Sequence, residues 1–311
     1  MTWRAAALSC CIATGGAAQT AGDVAQAVEG WLTDQNARGV VAIQPPDTDL
    51  TVIDLGLPAD APVELASLSK AITATCMAQL VDGTTVSRGD PVSRHVPGFD
   101  SITLADLITH QSGITQDATQ IYMSAWLDEP THRAAEIVDK MRDRGAPTGQ
   151  PGQYAYSNDN YALVARVIEA VSDAPYEQTC RRLVLDPAGV TATPSPVSGA
   201  FLSWGGWSMT VADYLTFHAH WFDTQTDTLT GPAGPFGGGA YYGLGMLARP
   251  MQGGINHWHF GALCFPKHLN VGSYAVAFFN DWRVVVAYDA CVEWPAMAAL
   301  DNAIATAIFS R

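Results

Sequence analysis

The sequence predicts an α+β fold in which an antiparallel sheet is flanked by N- and C-terminal helices and carries an inserted, mostly helical lobe. Three observations support this. Strand patterns occur near both chain ends, amphipathic helical patterns lie at both extremes, and the stretch between them has helical spacing, turn-rich loops and few strand signals. We expect a single domain over residues 19–311, with an α/β lobe formed by 19–65 and 236–311 and a helical lobe at 66–235.

The first lobe segment begins with a helix and a hairpin. Asp23 can cap a helix whose apolar residues recur every three or four positions. These apolar residues are Val24, Ala27, Val28, Trp31 and Leu32. Strand patterns follow at residues 40–43 and 50–55, separated by a turn at 45–47 that contains two prolines. A hairpin is the simplest interpretation.

The second lobe segment carries most of the predicted sheet. Strand patterns cover residues 241–247, 255–260, 273–279 and 283–288. Beyond Pro295 a closing amphipathic helix is predicted from the apolar residues Met297, Leu300, Ile304 and Ile308. The glycine-rich residues 231–239, which precede these strands, are predicted to form a loop or a connection between the lobes.

Composition excludes several classes of protein. The chain has 311 residues, of which 48% are hydrophobic, so it can bury a sizeable core and is not disordered. Sixteen Lys and Arg against 30 Asp and Glu give a net charge of -14, which leaves no cationic surface for a nucleic acid. After the N-terminal segment, no apolar run approaches the roughly 20 residues that span a bilayer. We therefore expect neither a nucleic-acid partner nor a membrane span in the mature chain.

Residues 1–18 have the pattern of a signal peptide, with an early positive charge, a short apolar run and small residues at the end. The alternative is an ordinary N-terminal helix. Export would place the mature chain in the periplasm or outside the cell, where Cys76, Cys180, Cys264 and Cys291 could pair in three ways. The strand-rich surroundings of Cys264 and Cys291 favour a bridge between those two, although free buried cysteines are an alternative.

The strongest chemical signal is a serine three residues before a lysine. Ser67 and Lys70 form an S-x-x-K pattern at the start of a predicted helix. Residues at i and i+3 share a helix face, so the amine can approach the hydroxyl. The positive end of the helix disfavours an extra ammonium proton. Apolar residues surround the helix, and a buried lysine needs a partner or a task, so the pattern predicts a nucleophile and its base.

A second candidate is the tripeptide from Tyr156 to Asn158, which lies between a turn-rich loop and a predicted helix. A tyrosine hydroxyl can relay a proton between nucleophile and leaving group. An asparagine amide can hold a lysine and bind a substrate carbonyl. Taken alone, the tripeptide is also typical of a helix-entry turn.

A third candidate lies on a predicted strand, where His259 and Gly261 share one face. A glycine in a strand lets a substrate approach the backbone. The amide of Ala262 could then join that of Ser67 in holding an oxyanion. Taken alone, His259 could instead be a structural histidine of the strand.

The order of these elements resembles that of the serine β-lactamase and penicillin-binding protein superfamily. S-x-x-K is followed by Y-x-N and then by a basic residue, any residue and glycine, with about 90 and about 100 residues between them. The class C branch is the most similar, and it includes D-alanyl-D-alanine carboxypeptidases, D-aminopeptidases, esterases and amide hydrolases. The segments 107–114, 183–193 and 204–214 also resemble family segments.

The resemblance implies a role for each matching residue. It makes Ser67 the acylated nucleophile, Lys70 the base, Tyr156 a proton relay and Asn158 a ligand of substrate and lysine. His259 takes the position of the third motif's basic residue, where β-lactamases usually have lysine. A histidine there is a weaker, pH-dependent anchor for a substrate carboxylate. The bulky Phe260 replaces a small or hydroxylic residue. Both departures weaken the expectation of antibiotic hydrolysis.

We therefore expect a serine hydrolase that forms an acyl-enzyme with a small-molecule or peptide ester or amide, without a cofactor or metal. A D-alanyl-D-alanine carboxypeptidase or a β-lactamase would use the same residues, and a noncatalytic binding protein would keep only the fold. His257-x-His259 and His218-x-His220 suggest a metal-dependent hydrolase as a further alternative, but no H-E-x-x-H pattern accompanies them. The oligomeric state and the natural substrate stay open.

Overall fold

The computed structural model describes residues 19–83, 86–224 and 234–310, so the predicted signal peptide at 1–18 lies outside the described residues. Helices and strands have the bounds that follow. The helices are α1 (Ala21–Asp34), α2 (Ser69–Gly83), α3 (Leu104–Ile108), α4 (Thr119–Tyr122), α5 (Ala134–Asp143), α6 (Asn158–Ser172), α7 (Tyr176–Cys180), α8 (Asp186–Ala188), α9 (Val211–Trp221) and α10 (Trp294–Phe309). The strands are β1 (Gly39–Gln44), β2 (Thr51–Leu55), β3 (Val63–Glu64), β4 (Thr193–Pro194), β5 (Trp207–Met209), β6 (Gly234–Gly237), β7 (Ala240–Gly243), β8 (Met246–Met251), β9 (Gly254–Phe265), β10 (Leu269–Ala277) and β11 (Arg283–Tyr288).

In the described part of the chain, eight strands form one antiparallel sheet in the order β2-β1-β11-β10-β9-β8-β7-β6. The N-terminal hairpin lies beside the C-terminal strand β11, with Gln44 opposite Arg283. Both chain ends therefore build the same sheet, and the predicted α+β class is confirmed. The predicted hairpin of β1 and β2 is also confirmed, with Gly39 opposite Leu55.

Apolar layers lie on both faces of the sheet. On one face α1 packs against α10, and the side chains of these helices bury the residues of β1, β10 and β11 that point toward that face. The indole nitrogen of Trp31 donates to the carbonyl oxygen of Ala296 at 2.8 Å and joins the two helices. The opposite face packs against the helical region, where α2 and α6 are neighbours. This second core carries the residues of the candidate site.

Three local predictions need correction. Thr20, not Asp23, is the N-cap of α1, and Asp23 completes the capping box from the third helical position. Residues 241–247 do not form one strand, because positive φ angles at Leu244 and Gly245 turn the chain between β7 and β8. The described part of the glycine-rich segment includes β6, an edge strand that pairs with β7.

A small three-stranded sheet in the order β3-β5-β4 was not predicted. Its strands have only two or three residues each, too few for an alternating pattern to be visible. The carboxylate of Glu64 on β3 accepts hydrogen bonds from the hydroxyls of Ser195 and Ser198. This contact joins β3 to the segment that follows β4.

Two disulfide bonds are present within the described residues. The predicted bridge between Cys264 and Cys291 is confirmed, and the second bridge joins Cys76 on α2 to Cys180 on α7. The apolar surroundings of Cys76 are compatible with either a thiol or a disulfide, so composition alone left this pair open. In the described part of the chain, no helix is long and apolar enough to cross a membrane.

Candidate active site

Ser67 lies in a short 3-10 turn, Ala66–Leu68, that leads directly into α2, where Lys70 is the second residue. Ala66 has a φ of 47°, in the left-handed region that alanine rarely adopts. Strained backbone of this kind persists where the surrounding structure imposes it, and it is frequent at functional sites. The turn presents Ser67 to a cavity instead of burying it in the helix.

The Ser67 hydroxyl has two close partners. Its Oγ lies 3.0 Å from Lys70 Nζ and 3.0 Å from the Tyr156 hydroxyl. Lys70 Nζ is also 5.0 Å from the centre of the Tyr156 ring. A nucleophile within hydrogen-bonding distance of both a base and a proton relay is the arrangement that acyl transfer needs.

Lys70 is fully buried, and its amine is held in place by the protein. Nζ donates a hydrogen bond to the backbone carbonyl of Trp204 at 2.7 Å. Burial lowers the pKa of Lys70 from 10.5 to about 7, while the negative charge of Asp117 opposes this shift. A large fraction of the amine is therefore neutral near pH 7 and can accept a proton.

Tyr156 lies just before α6, whose N-cap is Ser157. The His110 ring packs against the Tyr156 ring, with 4.4 Å between their centres. His110 Nδ1 accepts hydrogen bonds from Asn160 Nδ2 at 3.0 Å and from the Ser157 amide at 3.3 Å. Nδ1 therefore acts as an acceptor, and these two hydrogen bonds hold His110 against the first turn of α6. In this position the His110 ring supports the Tyr156 ring.

Gly261 brings strand β9 against the turn that carries Ser67. A Cβ atom on Gly261 would lie 2.7 Å from the Leu65 carbonyl oxygen and 2.9 Å from the Ser67 amide nitrogen. β8 pairs with β9 only as far as Trp258, so the following residues of β9 have β10 on one side and the Ser67 turn nearby. Ala262 lines the same cavity as Ser67.

A cavity of about 520 Å³ opens in front of Ser67. Tyr156, Asn158, His259, Gly261 and Ala262 all lie in its wall. The structure therefore brings every predicted site residue except the buried Lys70 to one cavity surface, with the Lys70 amine directly behind Ser67.

A model of the β-lactamase family matches residues 24–290 of the chain, which is most of its length. The chain belongs to the β-lactamase family. This match covers the sheet and the helical region together, including Ser67, Lys70 and the cavity-lining residues up to Phe265.

Curated relatives match shorter segments of this β-lactamase-family chain. It is 31% identical over 153 residues to the D-alanyl-D-alanine-carboxypeptidase/endopeptidase AmpH of Escherichia coli, covering 44% of the chain and 38% of AmpH. It is 29% identical over 126 residues to a teichoic acid D-alanine hydrolase of Staphylococcus aureus, covering 40% of the chain and 30% of the relative. The chain thus spans about a third of the length of the curated relatives it matches.

Solved structures show the same fold over nearly the whole chain. A D-amino acid amidase from Ochrobactrum anthropi superimposes with a TM-score of 0.72 at 18% identity, covering 92% of this chain and 98% of the amidase. A penicillin-binding protein from Bacillus halodurans gives a TM-score of 0.71 at 19% identity, covering 88% and 98%. The β-lactamase family member therefore has the fold of known hydrolases.

In the structure Asn158 and His259 each form a hydrogen bond with a neighbouring side chain. Asn158 Nδ2 donates to Thr119 Oγ1 at 3.0 Å, whereas Lys70 uses the Trp204 carbonyl as its partner. His259 Nε2 lies 3.1 Å from the Tyr242 hydroxyl. Both side chains reach the cavity, but each is already held by a neighbour.

Histidines of the two H-x-H patterns contact backbone or aromatic groups of the protein. His257 Nε2 lies 3.0 Å from the Asp223 carbonyl oxygen, and His218 packs against Phe222 with 5.0 Å between ring centres. Within residues 19–83, 86–224 and 234–310, no group of three His, Cys, Asp or Glu side chains is placed to hold a metal ion.

Sequence reasoning missed Trp204, Tyr242 and His110 as members of the site. Trp204 contributes a backbone carbonyl, which any residue type carries, so no side-chain pattern could have revealed it. Tyr242 and His110 act through contacts with His259 and Tyr156 that are distant in sequence. His110 and Trp204 lie in the resembling segments 107–114 and 204–214, which were the available signals.

Proposed function

We propose that this protein is a serine hydrolase that forms an acyl-enzyme with an ester or amide substrate, using Ser67 as nucleophile and Lys70 as general base. The observation that carries the proposal is the position of Ser67 Oγ, 3.0 Å from both Lys70 Nζ and the Tyr156 hydroxyl. The family and the names of its relatives, which include a carboxypeptidase and an amidase, support a hydrolase.

Acylation follows from this geometry. Neutral Lys70 accepts the proton of the Ser67 hydroxyl, and Oγ attacks the substrate carbonyl carbon. The carbonyl oxygen becomes negatively charged and is stabilised by the amides of Ser67 and Ala262. The carbon–leaving-group bond then breaks as Tyr156 gives the leaving atom a proton, and the proton that Lys70 took from Ser67 restores the tyrosine hydroxyl. The acyl group remains bonded to Ser67 Oγ.

Deacylation uses the same groups in reverse. A water molecule loses a proton to Lys70 through Tyr156, attacks the acyl carbon and releases the carboxylic acid, and Ser67 Oγ recovers its proton. Asn158 lines the cavity, and we propose that it contacts a polar group of the substrate. No step requires a cofactor or a metal ion.

A D-alanyl-D-alanine carboxypeptidase is the second candidate, because AmpH carries that name and is 31% identical over its matched segment. A β-lactamase would use the same nucleophile. A noncatalytic binding protein would not need a neutral lysine at the serine, and the pKa of about 7 for Lys70 argues against it. We also propose a periplasmic or secreted location, with which two disulfide bonds are consistent.

Trapping of the acyl-enzyme tests the function. The protein is incubated with a chromogenic ester and, separately, with a fluorescent penicillin, and intact mass and peptide mapping follow. We expect one acyl mass on Ser67, lost in Ser67→Ala and retained in Ser101→Ala, an exposed serine elsewhere. Folded protein that gives neither adduct nor turnover would contradict the proposal. Activity that survives Ser67→Ala and is abolished by a chelator would indicate a metal-dependent hydrolase.

A further inference from the structure

The side chain of His259 has no free hydrogen-bonding atom to offer a substrate carboxylate. Nδ1 lies 2.6 Å from the Phe260 carbonyl oxygen, which can only accept, so Nδ1 carries the proton. Nε2 lies 3.1 Å from the Tyr242 hydroxyl, and in the neutral ring it accepts from that hydroxyl. His259 stands at the position of the family's basic residue, and both of its ring nitrogens are therefore already hydrogen-bonded to other groups of the protein.

The surroundings also keep His259 uncharged. The residue is 5% exposed, and burial together with the nearby positive charge of Lys70 lowers its pKa from 6.5 to about 3. His110, on the other side of the tyrosines, is buried as well, and its pKa is lowered for the same reasons. Neither imidazole adds a positive charge to the cavity at neutral pH.

No other cation in the described part of the chain lines the cavity to compensate for this. Among the described residues that line the cavity, none is Lys, Arg, Asp or Glu. Residues 225–233, outside the described part, contain no Lys, Arg or His in their sequence. Lys70 is fully buried with its amine bound to Ser67 and to a backbone carbonyl. Arg249 lines a neighbouring cavity, where its guanidinium lies 5.1 Å from the Trp258 ring centre.

The cavity wall is instead rich in aromatic rings. Tyr154, Phe236, Phe260 and Trp294 are among its lining residues, in addition to Tyr156 and Tyr242. Phe260 is in edge contact with Trp294, with 5.6 Å between ring centres. A carboxylate placed among these groups would lose its hydration without gaining an ion pair, whereas an apolar group would gain by leaving water.

We propose that the site takes an ester or amide that is uncharged beside the scissile bond and presents an apolar group to the aromatic wall. This inference rests on the proposed function and adds the substrate class to it. It distinguishes this chain from hydrolases that bind a terminal carboxylate of their substrate. Such binding needs a positively charged side chain that is free to contact the carboxylate, whereas His259 is uncharged and hydrogen-bonded to Tyr242.

A matched pair of esters tests the inference. The substrates are 3-carboxyphenyl phenylacetate and its methyl ester, whose leaving groups differ in one charge, with rates normalised to hydroxide-catalysed hydrolysis. We expect kcat/KM of the wild-type protein to be higher for the methyl ester by between about ten- and a hundredfold, the range of one missing charged hydrogen bond. His259→Lys should shift the ratio of the two kcat/KM values toward the charged ester by about tenfold.

The outcomes separate the two proposals. Equal rates or a preference for the charged ester in the wild-type protein would overturn the inference, while the acyl-enzyme mechanism would still hold. Absence of any adduct on Ser67 with either ester would contradict the proposed function itself. The ratio within one protein is independent of the fraction of active enzyme. Should His259→Lys not fold, the wild-type ratio still decides.

Discussion

Gly261 lies so close to Ser67 that a methyl group on its α-carbon would stand 2.9 Å from the Ser67 amide nitrogen. The same methyl would be 2.3 Å from the Ser273 hydroxyl oxygen, which donates to the Leu65 carbonyl at 2.7 Å. The strand and the turn that carries Ser67 can approach each other only because position 261 has no side chain.

We therefore expect Gly261→Ala to move β9 away from Ser67 and to lower kcat/KM by about a hundredfold, the scale of one lost oxyanion contact. Steady-state kinetics with a chromogenic ester measures this. Gly30→Ala is the matched control, since position 30 on α1 has no atom within 4 Å of an added Cβ. Unchanged kinetics in Gly261→Ala would show that catalysis does not depend on the close approach of β9 to Ser67.

Acylation should depend on pH through Lys70. Its pKa of about 7 belongs to the base, so kcat/KM is expected to rise as pH increases through 7 and to level off above it, as Lys70 loses its proton. Lys70→Ala should lower kcat by about 10³, whereas Lys140→Ala, at an exposed site, should leave the profile unchanged. A wild-type profile without an ionisation between pH 6 and 8 would contradict the assignment of the base.

The buried lysine also affects stability. Its pKa is lower in the folded protein than the ordinary 10.5, so between pH 7 and 10.5 the unfolded chain binds more protons than the folded one. The contribution of Lys70 to the free energy of unfolding should therefore increase with pH over this window. Urea unfolding at pH 7 and pH 9 measures it, and Lys70→Met should flatten that pH dependence.

Tyr156→Phe should impair amide hydrolysis more than ester hydrolysis. An amine leaves poorly without a proton, whereas a nitrophenolate does not need one, so the loss of the hydroxyl beside Ser67 affects the amide chiefly. We expect kcat to fall by about 10² or more for an anilide, and by less for the corresponding nitrophenyl ester. Equal losses for both substrates would assign Tyr156 to positioning of Ser67 instead of proton transfer.

The aromatic wall should contribute to substrate binding. Trp294 is 56% exposed and lies in edge contact with Phe260. Trp294→Ala should raise KM for a phenylacetyl ester severalfold and leave KM for an acetyl ester almost unchanged, because only the larger group reaches the ring. Ile121→Ala, at an exposed apolar residue outside the cavity wall, serves as control.

The two disulfide bonds should differ in their effect on stability. The Cys76–Cys180 bridge joins positions 104 apart and the Cys264–Cys291 bridge joins positions 27 apart. The chain-entropy model assigns about 5 kcal/mol to a loop of about 100 residues and about 3.5 kcal/mol to one of about 30. Alanine replacement of both cysteines should lower Tm more for the first pair. The reverse order would indicate that local packing outweighs the entropy of the unfolded chain.

Sequence alone was most informative about residues that lie close together along the chain. Ser67 and Lys70 are three residues apart, and the structure places their reactive atoms 3.0 Å apart. The alternation along β9 placed His259 and Gly261 on one buried face, as the burial pattern of the strand also has it. Short-range periodicity is enough to fix such relationships.

Long-range relationships were out of reach of sequence reasoning. The hydrogen bond between Tyr242 and His259 decides whether the histidine is free to bind a substrate carboxylate. This contact depends on the turn between β7 and β8, which periodicity did not predict. The carbonyl of Trp204 holds Lys70 through backbone alone. Such contacts depend on how separate elements pack, which hydrophobic patterns do not specify.

The pairing of β1 with β11 also determines when the sheet of this protein can form. Gln44 and Arg283 are neighbours in the sheet although about 240 residues separate them along the chain. The central strands therefore cannot close until β11 has been synthesised, and such distant pairing makes folding slow. A polypeptide that has not yet reached β11 carries Ser67 and Lys70 beside an incomplete sheet. The support of the Ser67 turn is thus assembled from parts of the chain that are made at very different times.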